Sequence, residues 1–240
     1  CGKCRMCREG RYNICKTLEV LGCQCTGASS DYYPVKAELL YKLPDNIPYD
    51  VGTVIEPLSV GVRAVNRPGD VKGKNVLVIG AGTIGNVVMQ SAKALGANKV
   101  VISDVSDYKL NMAKECGADV TVNVTREKLE DVLDRELGID GLDVVYECSA
   151  NGAALNQMLR YGRKGMAFVI VAVYGKKPEI EMGLVQDREY EIYGTLMYRH
   201  EDYMTAIRLV SEGKVNLKAL ISKEFPLEDA SKAYKYIEDH

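Results

Sequence analysis

Two groups of residues in this chain could do chemistry by type and spacing. The first is Gly80-Ala81-Gly82-Thr83-Ile84-Gly85, a G-x-G-x-x-G turn. An apolar run at 75–79 precedes it, and a helical pattern reaching about residue 95 follows it, which is the context a pyrophosphate-binding turn requires. Gly80 permits the tight turn, Gly82 lets backbone approach a phosphate, and Gly85 lets helix and strand pack closely. The helix N-terminus adds free N–H groups and a partial positive charge, with Thr83 and Ile84 as its first residues. A second apolar run ends at Asp104, 24 positions after the first glycine (104 − 80). A carboxylate there can accept from both ribose hydroxyls and would repel a 2′-phosphate, so the pattern favours NAD over NADP. The alternative is a glycine turn that binds nothing, with Asp104 a surface charge; strand, helix and acid together favour the dinucleotide.

The second group is Cys1, Cys4, Cys7 and Cys15, four thiols within 15 residues. Four soft sulfurs at such spacing suit tetrahedral zinc and leave no position open for substrate, so the site is read as structural. Such a metal replaces a hydrophobic core that a polar lobe cannot build. An iron–sulfur cluster also takes four cysteines, but the spacing departs from the common ferredoxin patterns. A zinc-ribbon nucleic-acid module would also use them, but the chain carries no basic excess. Cys23 and Cys25 are read as spare thiols, with a rearranged cluster as the alternative, and Cys116 as a core residue.

Both groups need a scaffold. The chain has 240 residues, 47% hydrophobic and 27% charged, an ordinary globular balance. It has no tryptophan and two phenylalanines, so its core must be aliphatic. Lysine plus arginine is 31 against 33 acids, a net charge of −2 that gives no drive toward nucleic acid or an anionic membrane. No apolar run reaches the roughly 18–20 residues needed to span a bilayer. Six of the eight cysteines crowd the first 25 residues instead of spreading as pairs, which points away from a secreted disulfide scaffold and toward the cytoplasm. Short apolar runs at 75–79, 100–103, 120–124, 142–148 and 166–173 read as buried strands. Helical patterns at 83–95, 107–116, 126–137 and 152–161 separate them, the texture of an α/β fold with a doubly wound parallel Rossmann sheet. A helix is expected at 51–66, a strand pair or extended segment at 35–43, a helix at 201–212, a short apolar stretch at 217–221 and a last helix after Pro226.

The order of a four-cysteine lobe and then a dinucleotide turn resembles the zinc-dependent medium-chain dehydrogenases, in particular their sorbitol (polyol) and threonine dehydrogenase branch. The resemblance covers essentially the whole chain. It is carried by Cys1 through Cys15, Leu43-Pro44-Asp45, Ile55-Glu56-Pro57-Leu58-Ser59-Val60, Lys109-Leu110, Gly117-Ala118, Glu147-Cys148-Ser149 and Pro226 through Ala230. It implies a GroES-like substrate domain bearing the zinc lobe at 1–60, a Rossmann domain at 61–198, and a return into the substrate domain at 199–240. It implies NAD as cofactor, contacted also by Lys109, Cys148, Ser149 and Val173, and oxidation of a secondary alcohol such as sorbitol or iditol. A threonine dehydrogenase-like activity is the alternative within the branch, and a zincless quinone-reductase-like relative is the weaker match. Lys109 could instead be a solvated helix lysine. Glu56 is placed at the reaction centre, where the branch sets a glutamate against the catalytic zinc or its water; read alone it is a helix N-terminal acid. The chain carries Met197-Tyr198 where that branch often shows an arginine and a tyrosine. His200 reads as a polar residue at a helix start. The family's catalytic-zinc ligands, a cysteine and a His-Glu pair, precede the lobe. The chain begins with the lobe and is therefore expected to be an inactive piece of a longer enzyme, whose complete form is a dimer or tetramer with edges for pairing near 166–195.

Overall fold

Five of the six strands form where the apolar runs lie. A computed structural model describes residues 1–239, with β1 (Asn75–Ile79), β2 (Lys99–Asp104), β3 (Val120–Asn123), β4 (Val144–Glu147), β5 (Ala167–Ile170) and β6 (Glu191–Gly194). They pair in parallel in the order β3-β2-β1-β4-β5-β6, the doubly wound arrangement in which ligands lie at the point where strand order reverses. That point is between β1 and β4. The helices are α1 (Arg5–Arg8), α2 (Tyr49–Gly52), α3 (Ile55–Val65), α4 (Thr83–Ala94), α5 (Asp107–Glu115), α6 (Leu129–Leu137), α7 (Gly152–Tyr161), α8 (Met182–Asp187), α9 (His200–Ser211) and α10 (Ala230–Asp239).

Alternation along each strand explains the two layers. Val76 and Val78 of β1 pack with Val100, Ile102, Val144 and Tyr146 under Val88, Met89 and Ala92 of α4. Leu77 and Ile79 face the other way, joining Val101, Val145 and Phe168 beneath α6 and α7. A sheet buried on both faces needs apolar residues at every position, which is why the central strands read as unbroken runs. Each fully buried aliphatic side chain contributes roughly 1.5–3 kcal/mol. A third cluster joins Ile55, Leu58 and Val62 of α3 to Val87 of α4 and to Ala206 and Leu209 of α9. Helix α3 therefore runs unbroken across residues 60 and 61 and ties the N-terminal segments to the sheet.

The register fixes where chemistry can occur. Ile79 stands opposite both Ser103 and Glu147, and Glu147 opposite Ile170, so the C-terminal ends of β2, β1, β4 and β5 form one line.

Some expected elements differ. Residues 35–43 form no strand pair: a single 3-10 turn at Ala37–Leu39 sits in extended chain, with Leu39 and Leu40 exposed. A strand there has no partner to complete its hydrogen bonds. The strand expected at 166–173 is only Ala167–Ile170, because Val171 and Ala172 both donate to the Glu147 carbonyl and turn the chain out of the ladder. Residues 217–221 contain the 3-10 turn Lys218–Leu220, with Leu217 buried in the third cluster.

Candidate functional site

The glycine turn lies at the switch point. Gly80 leaves β1 with φ +95°, a backbone conformation that favours glycine, and a β-carbon there would stand 3.1 Å from the Cα and Cβ of Ser149. A β-carbon on Gly85 would overlap the Gly80 carbonyl oxygen and lie 2.8 Å from its carbon, so α4 can start only with glycine there. Gly82 differs: its backbone is extended, and a β-carbon would meet nothing within 4 Å. The missing side chain leaves open space in front of α4, whose first turn has no side-chain cap. An uncapped helix end facing open space is where backbone N–H groups can receive phosphate oxygens.

A crevice of about 380 Å³ runs across this turn. Gly80 and Gly82 line it, with Asp104 and Lys109 on the β2 side and Cys148 and Ser149 on the β4 side. Asp104 is half-buried. One of its oxygens accepts from the Ala81 N–H at 2.7 Å and the other from Val105 and Ser106 N–H at 2.8 and 2.9 Å. The carboxylate thus clamps the glycine turn to the end of β2 while facing the crevice. Lys109 is exposed on α5, and its N–H reaches the Ser106 cap at 3.5 Å. Burial, and then the neighbouring Glu147, push the Cys148 thiol well up, so it stays protonated and acts as a wall. Thr83 and Ile84 form the first turn of α4, Ile84 packed against the core. Val173 is not brought to the crevice wall: it is 90% exposed in the segment after β5. Asn151 and Gln157 also line the crevice, brought there by α7 and not by any spacing to the glycine turn. Asn151 caps α7, accepting from Ala153 and Ala154, a signal legible in an Asn that precedes a helical run.

The four expected thiols converge. Their sulfurs all lie within 4.8 Å of one another, with Cys1 and Cys15 at 3.4 Å and Cys4 and Cys15 at 4.0 Å. A tetrahedron with Zn–S near 2.3 Å has S···S edges of about 3.8 Å, so sulfurs at these separations can close on zinc with shifts of about 1 Å or less. Backbone N–H groups are already aimed at the sulfurs. The N–H of Thr17 draws the Cys15 thiol down to about 6, and those of Lys16 and Cys7 lower Cys4, while desolvation raises Cys7. All eight cysteines are free, Cys23 and Cys25 exposed and Cys116 half-buried with its sulfur 3.6 Å from the Asn216 carbonyl.

The lobe rests on the segment after β6. Asn13, buried, donates to the Leu196 carbonyl at 2.8 Å, and the Tyr12 hydroxyl accepts from the His200 N–H. That segment carries Tyr198 to Glu56 at the start of α3. Partial desolvation raises the Glu56 carboxyl above the ordinary glutamate range, against the lowering effect of its Tyr198 hydrogen bond, although the residue as a whole is exposed. Desolvation, and then Glu56, push Tyr198 up. His200 begins α9 as expected, stacked on Tyr41 at 5.3 Å with its Nδ1 3.1 Å from the Tyr41 hydroxyl, and it joins no cysteine. Tyr41 and Tyr203 stack at 4.5 Å beside it. This aromatic nest spans 162 residues of sequence and gave no local signal.

Comparison with known proteins matches this geometry. Residues 83–212 match the family model described as zinc-binding dehydrogenase, and residues 1–45 the alcohol dehydrogenase GroES-like domain. Sorbitol dehydrogenase 1 of Saccharomyces cerevisiae is 36% identical over 236 residues, 95% of this chain and 66% of that protein. The structure of L-idonate 5-dehydrogenase from Escherichia coli aligns with a TM-score of 0.90 at 29% identity, over 100% of this chain and 69% of that one. The structure of 2R,3R-butanediol dehydrogenase from Bacillus subtilis gives 0.83 at 29% identity, over 92% of this chain and 63% of that one. The chain spans 66% of the length of the yeast relative and 65% of several mammalian ones.

Proposed function

The chain is a member of the zinc-binding dehydrogenase family, and on that premise we propose that it serves NAD-dependent oxidation of a secondary alcohol, a polyol such as sorbitol or iditol, to the ketone. The observation that carries this reading is the open, uncapped start of α4 at Gly82 with the Asp104 carboxylate across the crevice from Ser149. When bound, NAD supplies nicotinamide C4 as the acceptor of the hydride that leaves the carbinol carbon. The chain's own residues do the rest. The first-turn N–H groups at Thr83 and Ile84 hold the pyrophosphate, with Gly80, Gly82 and Gly85 giving it room. Asp104 accepts from the adenosine ribose hydroxyls, with Lys109 beside them. Cys148 and Ser149 form the opposite wall, and Val173 lies beyond it on the nicotinamide side.

Cys1, Cys4, Cys7 and Cys15 hold a structural zinc that staples the lobe against Leu196 and His200. Glu56 is the carboxyl at the reacting end. Among the described residues no second group of three or more metal ligands accompanies it, so Glu56 and the tyrosines around it do not make a catalytic metal site by themselves. Eight free thiols suit a reducing cytoplasm, and no helix among the described residues is long and apolar enough to cross a membrane. We also propose the division into a GroES-like part at 1–60, a Rossmann domain at 61–198 and a return segment at 199–240, and homo-oligomerisation to a dimer or tetramer through the exposed edge at β6.

The test is to mix the chain with NAD and a panel of polyols, and separately to titrate it with NADH. NADH formation supports the full reaction. Saturable NADH binding without turnover supports the second reading, a zinc-stapled NAD-binding module, which the converging thiols of Cys1, Cys4, Cys7 and Cys15 beside the glycine-turn domain favour. Absence of both refutes the proposal.

A further inference from the structure

Strand β4 ends on a carboxylate that no water reaches. Glu147 is fully buried. Its Oε1 accepts from the Ser149 N–H at 2.8 Å and the Ser149 hydroxyl at 2.6 Å, and its Oε2 accepts from the Tyr174 hydroxyl at 2.9 Å. The three donors are neutral. Removing a carboxylate from water is costly, and an apolar side chain would fill the same space without that cost. The two oxygens are divided between two segments: one holds the residue that leaves β4, the other a tyrosine four residues past the end of β5.

Those segments matter because of where they lie. In a doubly wound sheet each half takes one mononucleotide. Asp104 marks the β1–β2 side for adenosine, which leaves the β4–β5 side for nicotinamide. Ser149 lines the crevice, and Gly80 packs so close to it that an added β-carbon would stand 3.1 Å away. The Glu147 carbonyl also takes the N–H groups of Val171 and Ala172 at 2.9 and 3.0 Å, so backbone and side chain of one residue grip both strand ends. The geometry points to Glu147 and Tyr174 as positioning residues: Glu147 sets the wall at Ser149, and through Tyr174 it holds the segment after β5 where nicotinamide is received. This rests on the NAD reading above.

Tyr174→Phe cuts only the second arm, since Ser149 keeps both its hydrogen bonds, and the half-buried ring stays in place. The full chain is titrated with NADH, followed by the blue shift of its emission, and with ADP-ribose, which has the pyrophosphate and adenosine but no nicotinamide. The expected result is a rise in the NADH dissociation constant of about five- to tenfold, with a smaller blue shift, while ADP-ribose binding stays within about twofold. Glu147→Ala, which frees Ser149 as well, weakens both ligands. A Tyr174→Phe chain that binds NADH unchanged, or loses NADH and ADP-ribose equally, overturns the inference. If the unaltered chain binds neither ligand, the NAD reading itself falls and takes the tether with it. If it binds ADP-ribose and NADH normally and only the Tyr174→Phe result fails, the NAD reading stands and the tether falls alone.

Discussion

Asp104→Ala should change cofactor choice and loosen the fold at once, and the two effects can be separated. The carboxylate accepts three backbone N–H groups at 2.7, 2.8 and 2.9 Å. A hydrogen bond to a charged acceptor contributes about 1.5–3 kcal/mol, but Asp104 is half-buried and water replaces part of the loss, leaving about 2–4 kcal/mol for the three together. A 2′-phosphate held about 4 Å from this carboxylate is repelled by about 1–4 kcal/mol per unit of charge at effective dielectrics of 80 to 20. Removing the charge should therefore move the NADP-to-NAD affinity ratio by about tenfold or more toward NADP. Asp104→Asn gives up the same charge but keeps one oxygen for Val105 and Ser106, placing an NH2 against the Ala81 N–H. It should match the alanine variant in cofactor ratio yet lose only about 1–2 kcal/mol of stability. Dissociation constants for both cofactors and urea unfolding midpoints measure the two effects. An unchanged cofactor ratio in both variants would show that Asp104 does not face the ribose. An asparagine variant as unstable as the alanine one would show that the clamp on the glycine turn is not made by these hydrogen bonds.

The two neighbouring glycines should respond in opposite ways. Gly85→Ala drives a β-carbon into the Gly80 carbonyl and should cost about 3 kcal/mol or more in a urea melt, whereas Gly82→Ala meets only open space and should stay within about 0.5 kcal/mol while weakening NADH binding about tenfold or more. Cys4→Ser should abolish stoichiometric zinc by metal analysis and expose the 1–20 lobe to protease, while NADH binding at ordinary temperature survives because the sheet has its own core; chelation of the unaltered chain should do the same. The raised Glu56 carboxyl predicts a pH effect. The folded chain holds that proton more tightly than the unfolded chain, so its contribution is complete below the ordinary glutamate range and is lost as pH rises through the raised folded value; Glu56→Gln should flatten that slope, and parallel curves for the two chains would contradict it.

The parts legible in the sequence are those written in contiguous residues. Val76 through Ile79, the glycine turn and Asp104 lie within 29 positions and found their places because strand, turn and helix each impose a local pattern. The four thiols were equally local. Strand β6 was covered only as a region for edge pairing, because an edge strand with exposed faces has no apolar run to announce it. Helix α8, six residues long, gave no periodicity to detect. The Glu147–Tyr174 bond joins residues 27 apart, and the Tyr41–His200 stack joins residues 159 apart. Neither follows from spacing; each exists because parallel β-ends and the α3–α9 packing bring distant segments to one place. Val173 shows the opposite limit: the apolar run at 166–173 predicts it inside a buried strand, but the strand ends at Ile170 and the Val173 side chain lies in solvent.

Calorimetric titration of NADH into the full chain and into its Gly82→Ala variant tests the bend before α4 most directly. Saturable heat for one site per chain, weakened in a variant that unfolds at the same temperature, is the expected outcome. No saturable heat in the unaltered chain, or two superimposable isotherms, would contradict the placing of a diphosphate on that bend.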